Sequence, residues 1–347
     1  MKYGLWFIRL VFAAWMVPAG LNHFYPLFPQ PMGNQQLSTE LITALLDSHQ
    51  FDLTKAVEML AGLAVLTGIF CPLLLVVCMP VSFCVWYWDT PLQGWGSTSA
   101  IFGWAVLLSN VVLCLSYLDT YRSMLAARVT PKGQQNLVLA GQVIFGAFMV
   151  ISGANRLFGP WLPVPVGHTP LSIELMTALV DSRLIHVVAG IQLAAGLLIL
   201  ANRFVPLALC VVMPLSVCAA FWAVILDQTV GGAAVALFAL ALNAWLCLAY
   251  IDAYKPMLKR RALAAFEQPG PGRSYDTLYA IPLGGVSPAQ FGGALLVLLI
   301  VAAFYCFVVT GGTAFYALLT LAYPAAVLVA RLMQGMGSGG PATPEAA

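Results

Sequence analysis

The chain has 347 residues, 61% of them hydrophobic and 8% charged, with a mean hydropathy of +0.91. A soluble domain carries roughly 25% charged residues. This composition therefore excludes a water-soluble globule, a disordered chain and a secreted disulfide scaffold, and it points to a polytopic helical membrane protein. The net charge of +2, from 15 basic and 13 acidic residues, gives no sign of a nucleic-acid partner.

Charge-free runs locate the spans. Gly4 to Asn22 forms the first, broken only by Arg9. A long loop follows, in which Ser38-Thr39-Glu40 before Leu41 predicts the start of a short helix at the membrane interface. Met59 to Trp88 is charge-free for 30 residues, too long for one ordinary span. Pro91 to Leu118, Gly133 to Asn155, Phe204 to Leu226 and Gln228 to Ile251 each fit one span. Thr277 to Ala330 runs 54 residues without charge, and Gly311-Gly312 near its middle divides it into two spans. The final stretch, residues 334–347, is rich in Gly, Pro and Ala and reads as a disordered tail.

An internal repeat organises these spans. At an offset of 134, the stretch from Pro72 to Cys84 matches Pro206 to Cys218 at 8 of 13 positions. At an offset of 133, Asn110-x-x-Leu-Cys-Leu-x-Tyr117-x-Asp119-x-Tyr121 matches the pattern from Asn243 through Tyr250 and Asp252 to Tyr254. Gly20-x-Asn22 likewise matches Gly153-x-Asn155. Where the first copy has Gly68-Ile69, the second has the polar pair Asn202-Arg203, so the long run splits into two helices at a surface turn. The reading is an all-α membrane protein of two tandem four-helix transmembrane units, 1–130 and 131–265. A pseudo-two-fold along the membrane normal relates them. A two-helix transmembrane extension, 266–335, and a disordered tail, 336–347, complete the chain. The first segment carries Lys2 and a Val17-Pro18-Ala19 that mimics a signal-peptidase site, but its repeat partner is an internal span, so it reads as a retained helix.

With the N-terminus in the cytoplasm and ten spans, twelve basic residues fall on the cytoplasmic side and only Lys55, Arg156 and Arg183 outside. That asymmetry predicts that both termini are cytoplasmic. All four histidines and most carboxylates map to the outer face. No HxxxH or ExxH occurs and the copies do not repeat the histidines, so no metal site is expected. The eight cysteines all lie in apolar spans and form no CxxC pair, which argues against a thiol-disulfide motor, a c-type haem and a zinc knuckle.

Polar groups inside the spans are the better site candidates, because a charge in hydrocarbon is costly unless paired and usually faces a bundle interior. Arg9 and Glu58, with repeat partners Gln142 and Gln192, are the clearest. Asn22, Asn155, Asn110 and Asn243 could fasten helices or line a ligand. Glu58 lies three residues after Lys55, so either that pair holds a helix end or the carboxylate faces Asn22-His23 and Trp88-Asp89. His186, Trp222 and Asp227 complete the candidate set in the second copy. The tryptophans form an aromatic belt or a stacking surface for a flat ring such as a quinone head group.

Several of these residues carry a resemblance. Arg9 with Gly20-Leu-Asn-His-Phe24, then Glu58-x-x-x-Gly62, Gly68 and Pro72-Leu, is similar to the DoxX-like family of four-span bacterial membrane proteins. The second copy has Gly153-Ala-Asn-Arg-Leu157, Gln192-x-x-x-Gly196 and Pro206-Leu, departing at Gln142 and Gln192. The resemblance covers residues 4 to 260. It implies the fold more than an activity: some members resemble membrane subunits of oxidoreductase systems, where a redox partner and a quinone could bind, and distant relatives resemble cargo receptors or assembly factors. No GxSxG, HExxH, P-loop or dinucleotide fingerprint occurs, so a self-contained enzyme with an intrinsic cofactor is not expected. Three functions compete: a membrane anchor or quinone-linked accessory subunit, a small-molecule or lipid transporter or binding protein, and a structural or assembly factor. An oligomer is compatible with each. A cavity between the copies that reaches the membrane midplane would favour the second.

Overall fold

The computed structural model describes residues 2–262 and 264 of the chain, which fall within one compact unit, Met1–Gln268. The expected two-helix extension and the tail lie outside the described residues. The secondary structure among the described residues is helical, with one isolated β-bridge, Ile69 to Arg261.

The first half contains α1 (Lys2–Phe24), α2 (Gln36–Asp47), α3 (Gln50–Thr67), α4 (Cys71–Tyr87), α5 (Thr98–Ser116) and the short α6 (Leu118–Tyr121). The second half follows the same order: α7 (Gln135–Leu157), α8 (Pro170–Asp181), α9 (Leu184–Leu200), α10 (Val205–Phe221), α11 (Val230–Ala249) and α12 (Ile251–Tyr254). A π-helical turn extends α4 over Trp88–Leu92 and another extends α10 over Trp222–Asp227.

Local chemistry sets these boundaries. Gly68 ends α3 in a left-handed conformation (φ +71°), which costs glycine nothing. Phe70 and Phe204 both sit at φ +50°, just before Pro72 and Pro206 in the first turns of α4 and α10, where a missing N–H leaves no bond unmade. The short helix begins two residues earlier than Ser38 suggests. Ser38 is the third residue of α2, and its hydroxyl turns back to accept from the Gln35 N–H at 3.3 Å and donate to the Gln35 carbonyl at 2.7 Å. Ser172 does the same for Thr169 at the start of α8.

Glycine lets the helices approach. A Cβ on Gly20 would lie 2.7 Å from the Lys55 carbonyl oxygen, and one on Gly62 would lie 2.7 Å from Val17. Residue 20 thus meets 55–59 while 16–17 meet 62, so α1 and α3 run antiparallel. Gly153, Gly146 and Gly196 bring α7 and α9 together in the same way. Close backbone approach through small residues is how helices associate where no hydrophobic effect drives them together.

The same side-chain bonds occur at repeat-matched positions. The Tyr121 hydroxyl donates to the Pro72 carbonyl at 2.8 Å and that of Tyr254 to Pro206 at 2.7 Å. Asn110 donates to Ser82 at 2.8 Å and Asn243 to Ser216 at 3.3 Å. Arg9 donates to the Tyr117 hydroxyl, and Gln142 to that of Tyr250 at 2.6 Å. The halves also cap one another. The Phe204 N–H, between α9 and α10, donates to Ala127 of the first half, and the Phe70 N–H donates to Arg260 of the second. At the opposite end, α2 packs on α8 through Leu41, Ala44, Leu175 and Ala178.

Six of the described helical segments are long and apolar enough to cross a membrane: Gly4–Phe24, Cys71–Leu92, Thr98–Ser116, Gln135–Leu157, Val205–Asp227 and Val230–Ala249. Their outer faces present bare hydrocarbon, with Ile101 68% and Phe238 61% exposed. The protein is an integral membrane protein. The sequence count over this stretch is eight. The two helices that fall short are α3, which carries Asp52, Lys55 and Glu58 in 18 residues, and α9, which has 17 residues and follows α8 after an 80° bend.

Candidate functional site

A cavity of about 2420 Å³ separates the two sets of helices. At one end it is lined by Leu41, Trp88 and Trp222, and at the other by Tyr121, Tyr254 and Met257. These ends correspond to the two ends of α4 and α10, because Tyr121 and Tyr254 bond to the prolines that open those helices while the tryptophans close them. A 17-residue helix is about 25 Å long, close to the roughly 30 Å of a bilayer core. Between the ends the walls are apolar. Pro80 and Pro214, inside α4 and α10, face it from the two halves, and each removes one backbone hydrogen bond from its helix.

The polar groups concentrate at the tryptophan end, where α1, α3 and the first π turn supply the first half's set. Lys55 donates to Glu58 at 2.8 Å; both are buried, and the Lys55 ammonium lies 4.7 Å from the centre of the Phe51 ring. Glu58 takes both arrangements that the sequence allows: it pairs with Lys55, and it lines the cavity within electrostatic range of His23. Lys55 is also within electrostatic range of Asp89. Asp89 is buried and accepts from Gln93 at 3.2 Å. Just outside, His23 bonds Asp52 at 2.6 Å, and His49 approaches its other oxygen at 3.2 Å.

The second half answers with different chemistry. Asp227 is buried and fully engaged. It accepts from the His168 backbone at 2.7 Å, from the His168 ring at 3.0 Å, from Thr229 at 2.7 Å and from Ser172 at 3.2 Å. The places of Lys55 and Glu58 are taken by Ala189 and Gln192, and Gln192 lines the cavity. Arg156, on the last turn of α7, also lines it. His186 lies within electrostatic range of Arg156 and Arg183, and its Nδ1 is buried without a hydrogen bond.

The remaining candidates bond to the frame, and four of them, Asn22, Trp88, Asn155 and Trp222, also line the cavity. Asn22 Oδ1 accepts from the Leu27 and Phe28 N–H groups, both at 2.7 Å, and so fastens the turn after α1. Asn155 does the same with Trp161 and Leu162 at 2.9 and 2.8 Å. The Trp88 and Trp222 indoles donate to the Ser38 and Ser172 carbonyls at 2.8 and 3.2 Å, fixing both rings edge-on to the short helices. Asn110 and Asn243 are buried between paired helices, and Arg9 and Gln142 lie toward the other end of the bundle with their tyrosines. Among the described residues no group of His, Cys, Asp and Glu is arranged to hold a metal ion.

No protein-family model, curated protein or solved structure matches the chain. The chemistry of the cavity is what remains to indicate its contents. Sequence reasoning passed over Arg156 as a site residue. The available signal was its neighbourhood: residues 152, 153, 159 and 160 are Ser, Gly, Gly and Pro, so no carboxylate sits one helical turn away to pair with it.

Proposed function

We propose that this membrane protein binds an amphipathic, lipid-like molecule in the cavity between its two four-helix units. The observation that carries this reading is the cavity itself: largely apolar, running between the two ends of α4 and α10, and charged only at the tryptophan end. A hydrocarbon chain fits the apolar walls and a head group fits the mouth. The recurring tyrosine, asparagine and glycine contacts support two tandem DoxX-like units related by a pseudo-two-fold along the membrane normal, with α3 and α9 also spanning the bilayer. The basic-residue asymmetry supports an orientation with the N-terminus in the cytoplasm, and the resemblance to a bacterial family suggests the inner membrane. On that topology a cysteine introduced at the exposed Arg128 reacts with a membrane-impermeant maleimide only after the cells are opened. Labelling in intact spheroplasts would reverse the topology.

A second reading keeps the redox association. A quinone is a flat-headed amphiphile, and Trp88 and Trp222 flank the same mouth, which suits a quinone-linked accessory subunit. One experiment addresses both. The full chain is purified in a mild detergent, and its bound lipids and quinones are extracted and identified by mass spectrometry. One amphiphile retained at close to one per chain is expected. It should be lost from the double variant Val77→Trp/Val211→Trp, which fills the cavity from matched positions on α4 and α10. The cavity reading fails if nothing is retained above the detergent-exchanged background, or if the filled variant retains the same molecule.

A further inference from the structure

We infer that the second half's side of this mouth binds an anionic head group, a carboxylate or a phosphate carried on a hydrocarbon chain, with Arg156 as its counter-ion. The inference rests on the lipid-binding reading and adds the charge of the ligand.

The charge pattern of the two halves motivates it. In the first half each cation at the mouth has a partner: His23 and His49 meet Asp52, and Lys55 meets Glu58. The matched positions in the second half reverse or delete the acids. Arg156 stands at the place of His23, His186 at that of Asp52, Ala189 at that of Lys55 and Gln192 at that of Glu58. The pair that attracts in the first half therefore becomes a pair of like character in the second.

Among the described residues no carboxylate pairs with Arg156: of the three that line the cavity, Glu58 pairs with Lys55, and Asp89 lies within electrostatic range of that same lysine of the first half. Asp227 lines the same cavity, but its oxygens are occupied by His168, Ser172 and Thr229. Among the described residues Arg156 makes no ion pair or hydrogen bond, and it is half-buried beside apolar walls. A guanidinium does not shed its proton, and a charge held in such surroundings is costly unless paired. A carboxylate or phosphate can accept two parallel N–H bonds from it, the strongest neutralisation available. Gln192 adds an uncommitted amide at the same cavity wall.

The test uses the purified full chain in a neutral detergent, with cis-parinaric acid and its methyl ester as fluorescent probes excited through the protein's tryptophans. The acid is expected to bind roughly tenfold more tightly than the ester, the worth of one charge-assisted bond. Arg156→Gln should abolish that preference while leaving ester binding unchanged, and Arg156→Lys should keep part of it. Inorganic phosphate in large excess should not displace the acid. Equal binding of acid and ester, or a preference that survives in Arg156→Gln, overturns the anionic site while the cavity reading stands. Displacement by phosphate would assign the site to a small free anion and overturn the amphiphile. Failure of both probes to bind the wild type removes the cavity reading itself. If Arg156→Gln does not fold, the comparison is made on Arg156→Lys, where a reduced preference for the acid is expected and an unchanged one overturns the claim.

Discussion

Replacing Gly153 with valine is expected to cost about 3 kcal/mol of stability, toward the upper end of over-packing effects. Even a single Cβ at this position would lie 2.5 Å from the Ala189 carbonyl oxygen and 2.7 Å from the Leu193 nitrogen. Both are backbone atoms of α9, so no side chain can swing aside; the whole α7–α9 pair must separate. The branched valine adds two methyl groups to the same gap. Gly20 is placed against Lys55 and Met59 of α3 in the same manner, and Gly20→Val should cost a similar amount. Gly190→Ala is the control. It lies in the same helix as the contacted atoms with nothing within 4 Å of its would-be Cβ, and it should leave stability unchanged or slightly raised. Thermal unfolding of the detergent-purified variants measures this. A Gly153→Val protein as stable as wild type would show that the helices are not in this register.

The Lys55–Glu58 pair gives the second large effect. Glu58 is 2% exposed and Lys55 8%. Removing one member of a buried pair strands the other charge, at a cost of about 3–5 kcal/mol. Lys55→Ala and Glu58→Gln alone should each fall in that range. The double variant Lys55→Ala/Glu58→Gln reproduces the Ala189 and Gln192 of the second half, and it should return to within about 1 kcal/mol of wild type. Unfolding of the four proteins forms a double-mutant cycle, and simple additivity of the two losses would refute the pairing. The same double variant separates structure from function. If it folds normally but no longer retains the amphiphile, the charged pair contributes to the site; if it folds and retains the ligand, the pair only anchors α3 to the bundle.

Outside the bilayer, Asp252 bonds Lys255 at 2.6 Å and Lys132 at 2.9 Å, and the Lys255 bond is the main reason its carboxyl lies below the usual carboxylate range. The pairing ties the segment after α11 to the link between the two halves. Its contribution is present above the ordinary carboxylate range and fades as pH falls through the lowered one.

The all-helical membrane character and the division of the long apolar run at residues 68–70 were legible in the residues themselves. They depend on composition, on glycine and proline placement and on internal identities, all of which act locally. The pairing of Glu58 with Lys55 was legible as one of two alternatives, because three residues along a helix place both groups on one face whatever surrounds them. That the paired carboxylate also lines the cavity depends on what the neighbouring helices leave open, and only packing decides that. The same holds for the asparagines. Asn22 and Asn155 fasten turns that fold back on them, while Asn110 and Asn243 find serines 27 or 28 residues away on the facing helix. The cavity has no signature in the sequence at all. Its walls are ordinary apolar residues, indistinguishable along the chain from those that face lipid. They become a binding surface because two helix sets, each closed tightly by its own glycines, are joined at their ends: through α2 and α8 at one, and through the reciprocal bonds of Phe70 and Phe204 at the other.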